Sequence, residues 1–172
     1  MTINVKWISA TLVTVSFLFY SFVGKDTPTE GLTIGDKAPA FKICGEKQLI
    51  DLKDLKGKYV LLSFWASYDA SSRKQNASLG HATSKMNNIE MVSVSFDEYK
   101  SIFHETIKKD RITTTNCFVE LDGENSELYQ TYRLNKGFKN YLLDENGVII
   151  YNAVGSVTFE SLETLIAQEN QP

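Results

Sequence analysis

The sequence has few of the residues on which redox, metal and phosphate chemistry depend. It contains only two cysteines, Cys44 and Cys117, and their wide separation fits neither a metal site nor a redox pair. Its two histidines, His81 and His104, have no acidic or thiol partner at metal-ligand spacing. A glycine-rich phosphate loop is also missing. We therefore expect no metal site and no bound cofactor.

Positive charge is also scarce. The 18 Lys and Arg residues are outnumbered by 21 Asp and Glu residues, which gives a formal net charge of −3. The basic residues form no stripe and do not interleave with aromatic residues, so nucleic acid is not an expected partner. Because low-complexity tracts and internal repeats are absent, 172 residues predict one domain with an accessory segment.

The accessory segment is an uncharged stretch near the N-terminus. Residues 7–24 follow Lys6 and precede Lys25, and as a helix they would be about 27 Å long, close to the hydrocarbon thickness of a bilayer. The stretch is long for a secretory signal and no clear small-x-small cleavage site follows it. We favour an uncleaved anchor and keep a cleaved signal as the alternative. Lys6 favours a cytoplasmic N-terminus and export of the rest.

The remaining chain predicts a tether at residues 25–37 and a folded domain at residues 38–172. Strands alternate with helices in the middle of this domain, which requires parallel neighbours joined by right-handed crossovers. A turn with Asn-Gly at its centre closes a final hairpin, so the sheet is expected to be mixed. The predicted strands cover residues 41–44, 48–52, 59–65, 89–96, 140–143 and 148–154, and the predicted helices cover residues 70–87, 99–109, a short element near 128–132, and 158–168.

Several segments resemble those of one family. Residues 64–74 are similar to the active-site segment of thioredoxin-like proteins, with an aromatic strand end before the site and Arg73 and Lys74 after it. Residues 34–41, 55–67, 92–97 and 141–147 resemble other family segments. From residue 32 to residue 168 the chain resembles exported, membrane-anchored thioredoxin-like proteins related to peroxiredoxins, or thiol-specific antioxidant proteins, and to cytochrome c maturation reductases.

The resemblance implies an α/β fold and a cellular location. The expected architecture is a thioredoxin-like sandwich with a mixed central sheet, helices on both faces and an N-terminal β-hairpin extension. The expected location is a bacterial inner membrane, with a single N-terminal span and the domain in the periplasm. If the signal is cleaved, the domain is instead free in the periplasm or secreted.

The resemblance breaks at the residues that carry the chemistry. Asp69 and Ser72 occupy the positions of the family's Cys-x-x-Cys pair, and neither can take part in thiol–disulfide exchange. Gln75 aligns with an acidic residue that assists proton transfer. Phe138 aligns with the family's cis-proline, and since a cis bond there would cost about 3 kcal/mol, a trans bond is expected. These four losses together indicate that the redox role has been abandoned.

Asp69 and Ser72 each allow a second interpretation. Asp69 could act as a general base or metal ligand, but a helix N-cap is the favoured interpretation because its carboxylate suits the positive helix end. Ser72 as a nucleophile would need a neighbouring base. His81 lies far along the predicted helix and His104 belongs to another element, so we expect no hydrolase triad and place both histidines at the surface.

Three aromatic residues are candidates for protein binding. In the family, the positions of Trp65, Tyr68 and Phe138 lie partly exposed around the redox groove, where aromatic side chains suit protein recognition. The alternative interpretation places Trp65 in the core and makes Phe138 a plug for the space left by the missing disulfide and proline. Both interpretations stay open at this point.

Three functional hypotheses follow. The first is a redox-inactive thioredoxin-like module that binds another exported or membrane protein. The second is an active thiol-disulfide oxidoreductase or peroxidase that uses Cys44 or Cys117, although neither is expected at a helix N-terminus. The third is a structural domain of a larger membrane assembly. Export would permit a disulfide between the two cysteines, but both lie in apolar runs and we favour two buried thiols.

Overall fold

The computed structural model describes residues 27–45, 48–112, 116–153 and 158–169. A two-stranded hairpin, β1 (Lys42–Cys44) and β2 (Leu49–Asp51), precedes a five-stranded sheet. The sheet contains β3 (Tyr59–Trp65), β4 (Ile89–Ser95), β5 (Cys117–Val119), β6 (Asn140–Leu143) and β7 (Ile149–Ala153). The helices are α1 (Ala70–Thr83), α2 (Lys100–Lys109), α3 (Glu127–Thr131) and α4 (Phe159–Glu169), and 3₁₀ turns cover Leu52–Leu55, Gly123–Asn125 and Leu134–Lys136.

The large sheet is mixed, as predicted. Its strand order is β5-β4-β3-β6-β7. Strand β3 runs parallel to β4, with Tyr59 opposite Ile89 and Trp65 opposite Ser95, and β4 runs parallel to β5. Strands β6 and β7 are antiparallel to their neighbours. The predicted order of elements therefore lacked one strand, β5, which adds a third parallel member at the edge.

Strand β3 lies at the centre of the sheet, and every one of its residues is buried. Its side chains alternate between the two faces, and each face packs against different elements. Val60, Leu62 and Phe64 pack in one cluster with the β1–β2 hairpin and with Leu128 of α3. Tyr59 and Leu61 pack on the other face with residues of α1 and α4. Helices therefore cover both faces of the sheet, as the resemblance implied.

Hydrogen bonds extend toward the N-terminus beyond Ala38, the predicted start of the domain. The Gly35 N–H donates to the Ile149 carbonyl at 2.8 Å, and the Ile149 N–H donates to the Asp36 carbonyl at 2.8 Å. Gly35 has a φ of +94°, a value that favours glycine in this turn. The described part of the predicted tether is thus attached to the start of β7.

The predicted membrane segment, residues 7–24, lies outside the described residues. Among the described ranges, no helix is long and apolar enough to cross a membrane.

Candidate functional site

The candidate site lies where the parallel strands β3 and β4 end. Strand β3 ends at Trp65 and leads through a short turn into α1, while β4 ends at Ser95 and is followed by Phe96 and Asp97. The Phe96 N–H donates to the Trp65 carbonyl at 2.9 Å, which joins the two strand ends. Sites of α/β sheets form at such carboxyl ends because loops and helix N-termini meet there.

Asp69 caps the N-terminus of α1, which confirms the favoured interpretation. Its backbone is extended, and its Oδ1 accepts a hydrogen bond from the Ser72 N–H at 2.7 Å. The buried Ser72 hydroxyl donates to the Asp69 carbonyl at 3.2 Å and accepts a bond from the Ala66 N–H at 3.4 Å. Both side chains that stand at the expected cysteine positions are therefore used in closing the strand–helix turn.

A second carboxylate, Asp97, holds the turn before α1 in place. Its side chain is almost fully buried. The Ser67 N–H and hydroxyl donate to Asp97 Oδ1 at 2.9 and 2.6 Å, and the Ser95 hydroxyl donates to Oδ2 at 2.7 Å. Sequence reasoning did not select Asp97. The available signal was an acidic residue directly after a buried strand, at the sheet edge where α1 begins.

Trp65 is fully buried, which confirms the interpretation that places it in the core, and its candidate role in protein binding is wrong. Its indole N–H donates to the Ser93 hydroxyl at 2.9 Å, and that hydroxyl donates to Asn76 Oδ1 at 2.7 Å. The ring lies 6.3 Å from the ring of Phe103 on α2. Since Trp65 follows the alternation of β3, its side chain points under the helices and offers no surface to a partner.

Tyr68 and Phe138 lie side by side next to the start of α1. Tyr68 is exposed and Phe138 is half-buried, with their ring centroids 6.4 Å apart. The Phe138 ring stacks on Phe96 at 5.9 Å with an interplanar angle of 23°. The described residues contain no cis peptide bond, so the bond before Phe138 is trans, as expected. Phe138 thus fills space against Phe96 and still reaches the surface.

The electrostatic environment of Tyr68 is negative. Partial desolvation raises the pKa of its phenol, and the charges of Glu124, Asp97 and Asp69 raise that pKa further. Gln75, the other residue at a degenerate position, is buried in α1. Within the described part of the chain its amide Nε2 has no hydrogen-bond partner.

The two cysteines lie apart from the α1 terminus and are both free thiols. Cys44 is exposed, so the prediction of a buried thiol is wrong for this residue. The alternation of β1 explains the error, because Ile43 faces the core and its neighbours face outward. Cys117 in β5 is partly buried and donates to the Ser93 hydroxyl at 3.4 Å. Burial raises the pKa of the Cys117 thiol to about 11.

Both histidines are exposed, as predicted. His81 lies near the end of α1 whereas Ser72 lies at its start and is buried, so this histidine is not a base for Ser72. In the described ranges, no group of three or more His, Cys, Asp or Glu side chains is arranged to hold a metal ion.

Known proteins resemble the chain in sequence. The sequence profile of the AhpC/TSA family matches residues 34–152, which is more than half of the chain. The thiol-disulfide oxidoreductase ResA of Bacillus cereus is 27% identical over 152 residues, which cover 87% of this chain and 84% of that protein. The thioredoxin-like protein YneN of Bacillus subtilis is 28% identical over 143 residues, 77% of this chain and 78% of that one.

Solved structures resemble it as well. A thioredoxin-like protein from Parabacteroides distasonis has a TM-score of 0.68 at 42% identity and covers 81% of this chain and 99% of its own. A thiol-disulfide oxidoreductase from Bacteroides fragilis has a TM-score of 0.65 at 26% identity, with 78% and 99% covered. These matches confirm the thioredoxin-like fold predicted from the sequence.

Proposed function

The chain belongs to the AhpC/TSA family, and we propose that it is a redox-inactive, thioredoxin-like module that binds another protein beside the α1 terminus. The observation that carries this proposal is the pair of side chains at that terminus. Asp69 and Ser72 hold no sulfur and are engaged in capping hydrogen bonds, where relatives named thiol-disulfide oxidoreductases are expected to carry cysteines.

The chemistry of thiol–disulfide exchange supports this reading of the terminus. Exchange begins with a thiolate that attacks a disulfide sulfur, and a second thiol resolves the mixed disulfide. A helix N-terminus favours a thiolate because the helix end is positive. Here that end is occupied by the Asp69 carboxylate, so the same electrostatic field stabilises a cap.

The remaining cysteines give little support to an active oxidoreductase or peroxidase that uses Cys44 or Cys117. With a pKa of about 11, only about one Cys117 thiol in 10⁴ is ionised at pH 7, which leaves little nucleophile. Cys44 is exposed on the β1–β2 hairpin, a short strand rather than a helix start. The two thiols form no disulfide with each other in the structure.

The proposal includes export across a bacterial inner membrane. Residues 7–24 anchor the chain with the domain in the periplasm, or they are removed and leave the domain free there. Protease added to cells with a permeabilised outer membrane is expected to digest the domain, whereas a domain that is digested only after the inner membrane is lysed would exclude export. N-terminal sequencing of the mature protein then separates the anchored form from the cleaved one.

Insulin reduction by the full chain tests the redox part of the proposal. The wild type should reduce insulin no faster than dithiothreitol alone, because no thiolate forms at the α1 terminus. Cys44→Ser and Cys117→Ser variants should give the same background rate. Turnover in the wild type that disappears in either variant would contradict the proposal and favour the active enzyme.

A further inference from the structure

Exposed apolar side chains are concentrated in one groove beside the α1 terminus. Of six large hydrophobic residues exposed in the described part of the chain, four line this groove: Tyr68, Tyr99, Ile102 and Leu121, exposed by 69%, 56%, 44% and 43%. Clustered apolar exposure of this kind marks interaction surfaces, whereas single exposed hydrophobic residues are ordinary.

Three chain segments form this groove, which we call the acidic groove. Residues 67–68 come from the turn after β3, residues 96–99 connect β4 with α2 and are joined by Ile102 of α2, and residues 121–125 follow β5. The cavity volume is about 630 Å³. Asp97 fixes the first segment to the second through its bonds from Ser67. Part-buried hydrogen bonds therefore hold two of the three segments of the groove together.

All charged residues that line the acidic groove are negative. These residues are Asp97, Glu98, Asp122 and Glu124, and the lining contains no Lys, Arg or His. The Tyr99 hydroxyl bonds to Glu98, and this bond raises the pKa of the Tyr99 phenol. A neighbouring groove around α2 has the opposite character, with Arg73, Lys108, Lys109 and Arg111 against one acidic residue. The negative sign thus belongs to this groove and not to the whole surface.

We propose that the acidic groove binds a segment of a partner protein in which Lys or Arg side chains stand next to aromatic or aliphatic ones. This inference rests on the proposed protein-binding function and adds the chemistry of the partner. The tyrosine rings offer apolar area and faces that attract cations. The exposed carboxylates of Glu98, Asp122 and Glu124 pair with the cations and speed association. A basic segment without apolar side chains and an apolar segment without positive charge each satisfy only half of this surface.

Binding of synthetic peptides to the full 172-residue chain, kept in a mild non-ionic detergent, tests the proposal. The probe is a peptide that alternates Lys with Phe and Leu. One control peptide has Glu in place of every Lys, and the other has Ser in place of every Phe and Leu. Only the probe should bind measurably by calorimetry. Its affinity should fall as salt rises, because the paired charges are exposed to solvent.

Variants of the chain locate the binding. Glu98→Gln/Glu124→Gln should weaken the probe about tenfold through the lost charge pairing. Tyr99→Ala should weaken it about tenfold through the lost aromatic contact. Glu163→Gln on α4 and Leu49→Ala on β2 are matched exposed controls outside the groove and should leave the affinity unchanged. All four variants should keep the wild-type melting temperature.

Three results would overturn the proposal. They are no binding of the probe, equal binding of either control peptide, and equal losses in the control variants. Sedimentation tests a second copy of the chain as the alternative occupant. A wild-type dimer that becomes monomeric in the Glu98→Gln/Glu124→Gln variant would mean that the acidic groove binds the basic groove around α2 of a second copy. The insulin assay on the same preparation separates the two proposals: turnover overturns the redox-inactive function alone, whereas failed peptide binding without turnover overturns the groove alone.

Discussion

At the scale of single residues, a carboxylate stands at the α1 terminus where the family resemblance implies a thiolate. The helix end that would favour a thiolate is instead capped by the Asp69 carboxylate, which accepts the Ser72 N–H at 2.7 Å. The cap was predictable because it depends on a local residue pattern. The sequence left the burial of Trp65 open, since it depends on which face of β3 its neighbours cover, and that face is set by α1 and α2 together.

The capping bond makes stability depend on the side chain at position 69. Asp69→Ala should lower the free energy of unfolding by about 0.5–2 kcal/mol, because a first-turn N–H loses its acceptor. Asp69→Asn should cost less, since its amide oxygen still accepts. Urea melts of the full chain measure both changes. A neutral Asp69→Ala would mean that the carboxylate serves a ligand or partner instead of the helix.

Tyr68 and Phe138 are expected to respond differently to truncation. Tyr68→Ala should leave the melting temperature nearly unchanged, because the side chain is mostly in solvent. Phe138→Ala should cost about 1.5–2.5 kcal/mol, roughly half the range for a fully buried ring, since Phe138 is half-buried against Phe96. Thermal melts give both values.

Capture of partners from native membranes by the same two variants completes this test. Both variants should capture less of any partner than the wild type, because both rings border the proposed surface. If Phe138→Ala loses stability but captures as well as the wild type, Phe138 is only a plug.

At the scale of elements, the parts of the fold that the sequence predicts are those with long periodic patterns. Strand β3 was predicted with its observed bounds because a nearly continuous apolar run of seven residues is typical of a central strand. All seven residues are buried in the structure. Strand β5 was missed because three residues carry no measurable period, and only pairing with β4 makes them a strand. The exposure of Cys44 was not predicted for the same reason, because a three-residue strand does not reveal which of its sides faces the core.

The contact between α1 and α2 includes an ion pair. Arg73 of α1 donates to both carboxylate oxygens of Asp110, which follows α2, at 2.6 and 2.7 Å. Hydrogen bonding to Arg73 lowers the pKa of the Asp110 carboxyl from its ordinary value of 3.8. The stabilising effect of the ion pair is therefore complete above about pH 4 and is lost as the pH falls through the lowered pKa of Asp110.

Asp110→Asn should destabilise the full chain by about 1.5–3 kcal/mol at pH 7, the range for hydrogen bonds to charged groups. The difference from the wild type should shrink below the ordinary pKa of 3.8, where the wild-type carboxyl also becomes neutral. Melts of both proteins across this pH range measure the difference in their free energies of unfolding. Lys58→Met removes an exposed pair with Glu90 and serves as the control, with little expected effect. A difference independent of pH would show that packing, not charge, joins the helices.

At the scale of the whole molecule, the proposal separates the fold from the family's chemistry. The chain has a thioredoxin-like fold, with a five-stranded mixed sheet and helices on both faces. A fold supports many functions because activity depends on a few residues grafted onto it. Here those residues are Asp69 and Ser72, and the surface next to them is aromatic and acidic. The partner's identity depends on a second molecule, so no pattern within this sequence predicts it.

Introducing sulfur at the α1 terminus tests most directly the proposal that its absence leaves the domain redox-inactive. The measurement is the initial rate of insulin reduction by the wild type and by the Asp69→Cys/Ser72→Cys double variant, at equal concentration and after a melting curve shows that both are folded. The account predicts the background rate for the wild type and a rate above background for the double variant, because a thiolate at the helix N-terminus is favoured. A wild type that turns over as fast as the double variant would contradict it.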